Sequence, residues 1–453
     1  MLRLYDTAAK ALVDFVPRHE GAVSMYVCGV TPYDEPHLGH GRTAVSFDTI
    51  RRYLAWRGFR VTYVSNVTDV EDRIIARAAE RGTTEPELAR EFEADYWAQM
   101  DRLKVQRPDD TPHATEFIAE MQKLITELVA RGHAYVIEGN GVYFEVATLE
   151  TYGQLSRRTH ADLLESAGAR VEVDEEKRSP IDFALWKAAK SGEPAWESPW
   201  GAGRPGWHIE CSAMSLEILG EGFDIHGGGD DLVFPHHENE IAQAVGAGHE
   251  FARHWLHAGM VNTKGEKMSK SLGNFVTLAN VLDRFDPRAY RLLVLQTHYR
   301  KQMEFGETEL ADAEKALERI DALVRNARAD NLPEVAAAEA APFRDAMDDD
   351  FDTPAAVAYV FELVREANTA RAEQRRDDAA RLVATVVELA GVLGIDPKAE
   401  VPELDEEIAA LVTERDEARA RKDFATSDRI RDELLARGIA LEDTPNGTVW
   451  RRA

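Results

Sequence analysis

Three groups of side chains in this sequence could do chemistry. The first is a histidine pair, His37 and His40, in "PHLGHGR", which follows the apolar run "MYVCGV" at residues 25–30. At the start of a helix, two imidazoles three residues apart project from one side of the first turn. Free N–H groups and the positive dipole end favour anions there. Gly39 and Gly41 keep that turn bare, so a flat ring could lie against the backbone. The phosphates and base of a nucleotide would suit such a place. Taken alone the pair reads as readily as two half-exposed helix-start histidines.

The second group is Lys267 and Lys270, in "GEKMSKSLGN" at residues 265–274. Two lysines among small polar residues, with glycine near each end, describe a loop that can close over a triphosphate. It would bring cations to charge that develops only during reaction. The plainer reading is a solvated basic loop.

The third group combines the two cysteines, Cys28 and Cys211, with "FPHHENEIA" at residues 234–242. Pro235 reads as the first residue of a helix, which sets His236 and Glu240 on one face. Cys28, Cys211, His236 and Glu240 would offer two thiolates, an imidazole and a carboxylate, a sound zinc set. The spacing lacks a CxxC pair and leaves His237 as a rival to His236. Two buried thiols, or one disulfide, would explain the cysteines without a metal.

These groups need a scaffold, and the flanking pattern supplies one. "MYVCGV" reads as a buried strand, residues 39–58 as an amphipathic helix, and "FRVTYVSNV" at 59–67 as a second strand. Strand, helix, strand within about 45 residues predicts a βαβ unit and a parallel sheet. "DRIIARAAERG" reads as a helix closed by glycine, and residues 86–104 and 114–131 as two more. In residues 133–146, Asn140-Gly141 between alternating runs predicts a hairpin. This piece, to about Arg204, interrupts the α/β pattern as an insertion. Residues 222–245 then read as strand, Gly-rich turn and helix, and 254–262 as another strand.

The fold class expected is therefore α/β. A parallel-sheet domain with an insertion leads into an α-helical bundle and a small C-terminal domain. The boundaries read are 1–118 and 205–262 for the two halves of the parallel-sheet domain, with 119–204 inserted. Residues 263–325 hold the lysine loop and the helical stretch after it, 326–400 the bundle and 401–453 the tail, where residues 415–438 read as one charged helix.

The net charge of −27, from 81 acidic and 54 basic residues, argues against casual nucleic-acid binding. Only 13 of those basic residues are lysines. An acid-rich, lysine-poor surface suits a very salty cytoplasm, where screening acts over about 3 Å at 1 M salt. Arginines cluster at 51–60, from Arg291 to Lys301, and in 414–438 with Arg451 and Arg452. Trp450 could stack on a single-stranded base. No apolar run approaches the roughly 18 residues of a membrane span, and residues 1–20 lack a secretory pattern. A cytoplasmic protein without membrane contact is expected.

The conjunction is more specific than its parts. HLGH at a first strand-to-helix turn, with KMSKS about 230 residues later, resembles the paired signature of class I aminoacyl-tRNA synthetases. Leu38 replaces the usual isoleucine, a volume-conserving change. "GGGDDL" at 227–232 fits the same picture as an adenosine-ribose site. Within that class the chain is similar to the cysteinyl-tRNA synthetase family, from residue 1 to the terminal "GTVWRR".

The resemblance implies a Rossmann-like parallel-sheet catalytic domain with an inserted connective domain at 119–204 and a stem-contact region within 263–325, adenylation of L-cysteine by ATP with Mg²⁺, then transfer to the 3′ end of tRNA(Cys); a monomer is expected. It implies catalytic roles for His37, His40, Lys267 and Lys270, with Lys270 foremost, and ATP contacts by Gly39, His40, Gly228, Asp231 and both lysines. Gly29, Thr68 and Trp207 would line the cysteine pocket. One Zn²⁺ on Cys28, Cys211, His236 and Glu240 would grip the substrate sulfur. Serine is hard to reject by size, since a methylene-scale difference yields only about 1–3 kcal/mol. A metal that prefers thiolate over alcohol separates the two without an editing domain. Two rivals share parts of the pattern: a mycothiol-pathway ligase that joins activated cysteine to an amino sugar, and a non-catalytic zinc protein. The tail beyond the helical domain and Glu240 as fourth ligand favour tRNA over the sugar. Intact HLGH and KMSKS disfavour the binding module.

Overall fold

Alternating apolar runs and helical spacing build a four-stranded parallel sheet in the computed structural model. It describes residues 1–168, 176–263, 266–267, 276–327, 332–398, 406–437, 439–444 and 447–452. Across the sheet the strands run His254–Ala258, Ile225–Gly229, Ala22–Val30, Arg60–Val67, every pair parallel. In chain order that is fourth, third, first, second. The direction of winding reverses between Ala22–Val30 and Ile225–Gly229, and ligands of such sheets bind at the carboxyl ends beside this reversal. Cys28 and the glycines of Ile225–Gly229 end there.

Ala22–Val30 is apolar apart from Ser24, which bonds Asp224, because both its faces are covered. Val23, Met25 and Val27 enter one core with Val45, Phe47, Tyr53 and Leu54 of the helix Leu38–Trp56. Tyr26 and Cys28, on the opposite face, enter a second core with Leu124, Phe144, Trp186, Ile209 and Cys211. The period of two in the strand thus divides the molecule's two largest cores.

The helices expected after Arg60–Val67 are present as Asp72–Arg81, Glu85–Arg102 and Ile118–Ala130. The first ends on Gly82 at φ +65°, as its glycine implied. The insertion carries a second, antiparallel sheet, Ala134–Ile137, Gly141–Phe144, Phe183–Ala188 and Gly203–Pro205. Its hairpin differs in detail from the sequence reading. Ile137 pairs with Gly141, so the loop is residues 138–140 and Gly141 already belongs to the strand.

Three other details depart from expectation. Residues 254–262 are two strands, because the chain turns at Gly259, where a Cβ would fall 2.4 Å from the Lys301 carbonyl oxygen. The continuation, Val261–Thr263, pairs with Met303–Phe305 and with Glu266–Lys267. The glycines at 227–229 lie in a strand rather than a turn. The tail's charged stretch is two helices, Glu406–Ala420 and Phe424–Ala436, separated where Lys422 takes φ +64° and Asp423 caps the second.

Five helices, Pro287–Leu295, Glu307–Ala327, Ala341–Met347, Thr353–Ala372 and Arg376–Val392, share the first core with Leu38–Trp56. All this forms one unit, Met1–Pro397. Residues 398–453 form another, in which the helix pair and the hairpin Ile439–Thr444 with Gly447–Arg452 close over Ile430, Leu434 and Ile439. No helix among the described residues is long and apolar enough to cross a membrane.

Candidate functional site

Cys28, Cys211, His236 and Glu240 arrive from three distant parts of the sequence and converge. One donor atom from each lies within 4.8 Å of every other, and all four residues are buried. Cys28 Sγ is 3.5 Å from Glu240 Oε1, and His236 Nε2 is 3.0 Å from the same oxygen. Both cysteines are free thiols, so the disulfide reading fails. Pro235 is not the first helical residue. Residues Val233–His237 form a wide turn with Phe234 extended, and the helix starts at Glu238. His236 and Glu240 still meet, across the helix start rather than along a helix face.

His237 turns away from this set. Its Nδ1 faces His257 Nε2 at 2.7 Å, and its Nε2 stays 3.9 Å from Glu240. A second donor group, Cys28, His226, His237 and Glu240, overlaps the first but lacks Cys211. Among the described residues, His236 is the imidazole that groups with both sulfurs. His226 was not singled out from sequence, yet its Nε2 lies 2.8 Å from Glu240 Oε2. The signal was a histidine inside an otherwise apolar strand, "FDIHGGG".

Electrostatics suit a soft divalent cation here. Burial pushes the Cys28 thiol well above its ordinary value, with Cys211 and Glu240 adding to the rise, and the Cys211 thiol is also raised. Burial and neighbouring imidazoles push His236 well down, so it is a neutral ligand. Two sulfurs, one nitrogen and one carboxylate oxygen, shielded from water, fit zinc.

Of the residues expected to line the amino-acid pocket, Gly29 sends its N–H to Asn66 Oδ1 at 2.9 Å, and a Cβ there would fall 1.8 Å from the Asn66 carbonyl oxygen. Thr68 is buried, its hydroxyl accepting from Asn66 Nδ2 at 3.2 Å and its N–H bonded to the Val30 carbonyl. Trp207 opens the helix Trp207–Leu219 half-buried, its ring stacked on His236 at 4.3 Å. Gly29 and Thr68 thus meet at Asn66, toward whose Oδ1 Cys211 Sγ also points at 3.7 Å, and Trp207 joins the donor set through His236. Glu210, also missed in sequence, lies fully buried beside Thr68 and pushed up by burial; neither of its oxygens makes a hydrogen bond of good geometry.

On the nucleotide side, His37 and His40 stack at 3.8 Å and cap their own helix. The His37 N–H donates to His40 Nδ1 at 3.1 Å, and the His40 N–H to His37 Nδ1 at 3.4 Å. Burial, then His37, pushes His40 well down, so its ring is neutral. Gly39 has no room for a side chain, since a Cβ would lie 2.8 Å from His37 Cε1. Gly228, the last residue but one of the strand Ile225–Gly229, has a Cβ position 2.8 Å from His237 Cε1, and Asp231 is exposed just beyond the strand. Leu278 N donates to the Pro36 carbonyl at 2.8 Å, and the Tyr290 hydroxyl to the Leu38 carbonyl at 2.5 Å. The chain that follows the lysine motif is thereby fastened to HLGH. Lys267 is described in backbone only, paired opposite Asn262, and Lys270 lies outside the described residues.

Comparison with known proteins agrees with this geometry. The family described as tRNA synthetases class I (C) catalytic domain matches residues 14–315, the DALR domain 342–395, and the cysteinyl-tRNA ligase anticodon binding domain 401–451. The chain is 48% identical over 463 residues to a cysteine–tRNA ligase of Haemophilus influenzae, covering 100% of each. It is 49% identical over 486 residues to one of Trichlorobacter lovleyi, covering 99% of each. Among solved structures it resembles Mycobacterium tuberculosis methionyl-tRNA synthetase with methionyl-adenylate, at TM-score 0.59 and 16% identity over 83% of this chain and 90% of that one. It also resembles an Agrobacterium radiobacter LeuRS in a ternary complex with tRNA, at TM-score 0.62 and 12% identity over 84% of this chain and 86% of that one. These two likenesses show the fold, and the full-length identities show more: the chain belongs to the cysteine–tRNA ligase family of class I aminoacyl-tRNA synthetases.

Proposed function

We propose that Cys28, Cys211, His236 and Glu240 hold one zinc ion at the base of the amino-acid pocket, and that His37, His40, Lys267 and Lys270 act on ATP beside it. The chain, as a cysteine–tRNA ligase, joins L-cysteine to tRNA(Cys). When bound, zinc supplies a preference for the substrate's thiolate over the hydroxyl of serine. Everything else falls to the chain's own residues.

The cysteine carboxylate attacks the α-phosphorus of ATP and expels pyrophosphate. That nucleophile is already anionic, so no general base is required and catalysis reduces to positioning and charge stabilisation. His37 and His40 each accept a backbone N–H at Nδ1. A ring that accepts at Nδ1 carries its proton on Nε2, so both serve as hydrogen-bond donors to phosphate oxygens. Gly39 leaves the backbone bare where the nucleotide lies, and Gly228 and Asp231 take its ribose. Lys267 and Lys270 neutralise the leaving pyrophosphate, with Mg²⁺ accompanying ATP. The terminal ribose hydroxyl of tRNA then attacks the carbonyl carbon of the mixed anhydride, forming the ester as the acyl–phosphate bond breaks, AMP leaves and the hydroxyl proton passes to the departing phosphate. On this reading the protein works as a cytoplasmic monomer.

The observation that carries the reading is the convergence of four buried donors at the sheet's reversal, next to the HLGH helix start. The amino-sugar ligase reading has nothing comparable to set against the anticodon-binding match at 401–451. The test is a charging assay with ATP, radiolabelled cysteine and either tRNA or an amino-sugar acceptor, paired with metal analysis. Charging of tRNA with one zinc per chain, and loss of zinc and of cysteine-over-serine selectivity in Cys211→Ser, is the expected result. A protein that charges normally without bound metal would refute the zinc assignment.

A further inference from the structure

Tyr26 stands two residues before Cys28 on the strand Ala22–Val30, so the two side chains leave the same face of the sheet. It is fully buried, and its hydroxyl makes no hydrogen bond of good geometry. Buried phenols nearly always have a partner. Tyr26 shares its buried cluster with Cys28 and Cys211, and burial, then the Cys211 and Cys28 sulfurs and Glu240, hold its phenol well above the ordinary value, with Cys211 as its hydrogen-bonding neighbour. The ring itself is well seated, edge-on to His226 at 5.3 Å and tilted against Phe223 at 6.5 Å. Packing explains the ring but not the oxygen.

The sulfur's present role explains why the oxygen is left over. Cys211 Sγ, as a thiol, donates toward Asn66 Oδ1 at 3.7 Å. A thiol sulfur is a weak acceptor, and it leaves the phenol little to bond to. A metal-bound sulfur has lost its proton: it can no longer donate to Asn66, and it becomes a strong acceptor. Asn66 Oδ1 keeps a partner through that change, because it already accepts the Gly29 N–H. The donor that the thiolate then requires is the one standing idle.

We propose that Tyr26 is a positioning residue of the metal centre, its hydroxyl donating to the Cys211 sulfur once that sulfur binds a thiophilic divalent cation. The inference rests on the zinc reading above. It divides the two states of the protein: the metal-free chain buries an unsatisfied hydroxyl, and the loaded chain does not. Outer partners of metal ligands typically contribute 10–100-fold to affinity. A single phenol donor belongs at the lower end, about tenfold.

The full-length protein and Tyr26→Phe are each stripped and reloaded with zinc. Zinc affinity is measured by competition with a chromophoric chelator, and thermal unfolding is followed in both states. Tyr26→Phe should bind zinc about tenfold more weakly, melt no lower than the parent when stripped, and melt lower when loaded. Unchanged zinc affinity would overturn the proposal. So would an equal melting loss in both states, or a stripped variant that fails to fold, since either makes the hydroxyl a packing element. If the parent protein itself bound no stoichiometric zinc, the zinc reading would fall, a result distinct from a parent that binds zinc and a variant that binds it equally well.

Discussion

The helix Leu38–Trp56 begins at the histidine pair and carries Asp48 in its middle, buried against the equally buried Arg291 of Pro287–Leu295. Arg291 also donates from Nε to the Leu393 carbonyl at 2.7 Å, and from Nη2 to the Thr49 hydroxyl at 3.2 Å. Asp48 has two other donors, Arg52 Nε at 2.7 Å and the Gln106 N–H at 2.8 Å. Replacing Arg291 by Met would break a buried pair, which generally costs about 3–5 kcal/mol. The low end applies, because Arg52 and Gln106 keep Asp48 from being stranded. A buried carbonyl left without its donor adds about 1–3 kcal/mol, so a loss of roughly 4–6 kcal/mol is expected. Asp48→Asn leaves a guanidinium among neutral acceptors and should cost about 3 kcal/mol. In the double variant neither charge is stranded, so its loss should fall short of the sum by about 2 kcal/mol. Urea unfolding of the four proteins, compared at constant m, measures this shortfall. Losses that add within about 0.5 kcal/mol would refute the coupling. The pH dependence gives a second check. Burial alone would raise the Asp48 carboxyl, yet Arg291 and Arg52 bring it below its ordinary value. Its contribution is therefore present above the unfolded value near 3.9 and lost as pH falls through the lower folded one. The gap between parent and Arg291→Met should shrink in strong acid.

Tyr290→Phe keeps the ring against Gly41 but removes the bond to the Leu38 carbonyl. ATP–pyrophosphate exchange should slow about fivefold, the rate equivalent of roughly 1 kcal/mol, with the KM for cysteine unchanged; equal changes in both would show a merely structural effect. Gly227→Ala would place its Cβ 2.3 Å from Phe47 Cε1, an overpacking that should cost about 1–3 kcal/mol. Phe47→Leu in the same chain should recover part of it in thermal unfolding. His249 bonds Glu221 through Nδ1 and Glu127 through Nε2, and these carboxylates outweigh burial to raise its imidazole. That contribution is full below the unfolded histidine value near 6.5 and disappears as pH rises through the raised folded value. The melting difference between parent and His249→Ala should therefore be larger at pH 5.5 than at pH 8.5, and the reverse order would contradict the clamp.

Local pattern made the element types legible. The apolar run of 25–30 announced a buried strand, and the glycine after "DRIIARAAER" announced a helix end. The donor set was legible only as chemistry, two thiols with an imidazole and a carboxylate. Its convergence depends on strand order: Cys28 and Glu240, 212 residues apart, meet because Ile225–Gly229 lies beside Ala22–Val30. No local period encodes that neighbour relation. For the same reason His226, Glu210 and Tyr26 passed unnoticed, since each matters through partners remote in sequence. Where local rules failed, tertiary contacts had overridden them. Pro235 fits a helix start by propensity, but the chain needs Phe234 extended to bring His236 back over Glu240.

The glycine run at 227–229 shows most directly how the two halves of the site are joined. Read as a turn, it would give the chain freedom to bend; read in the sheet, it gives thinness. Phe47, from the helix that HLGH begins, occupies the space where a Gly227 side chain would stand. His237, from the turn that carries His236, occupies the space beside Gly228. Successive strand residues point to opposite faces and advance only about 3.3 Å. The nucleotide-side helix and the metal-side turn therefore press on adjacent residues of one bare strand from its two sides. A side chain at either position would push one apparatus away from the sheet. In the proposed reading, adenylation requires the carboxylate of a sulfur-anchored substrate to reach an α-phosphate held at the helix start, and a displacement of about 1 Å can cost two orders of magnitude in rate. Bare backbone between the two is what that reach demands.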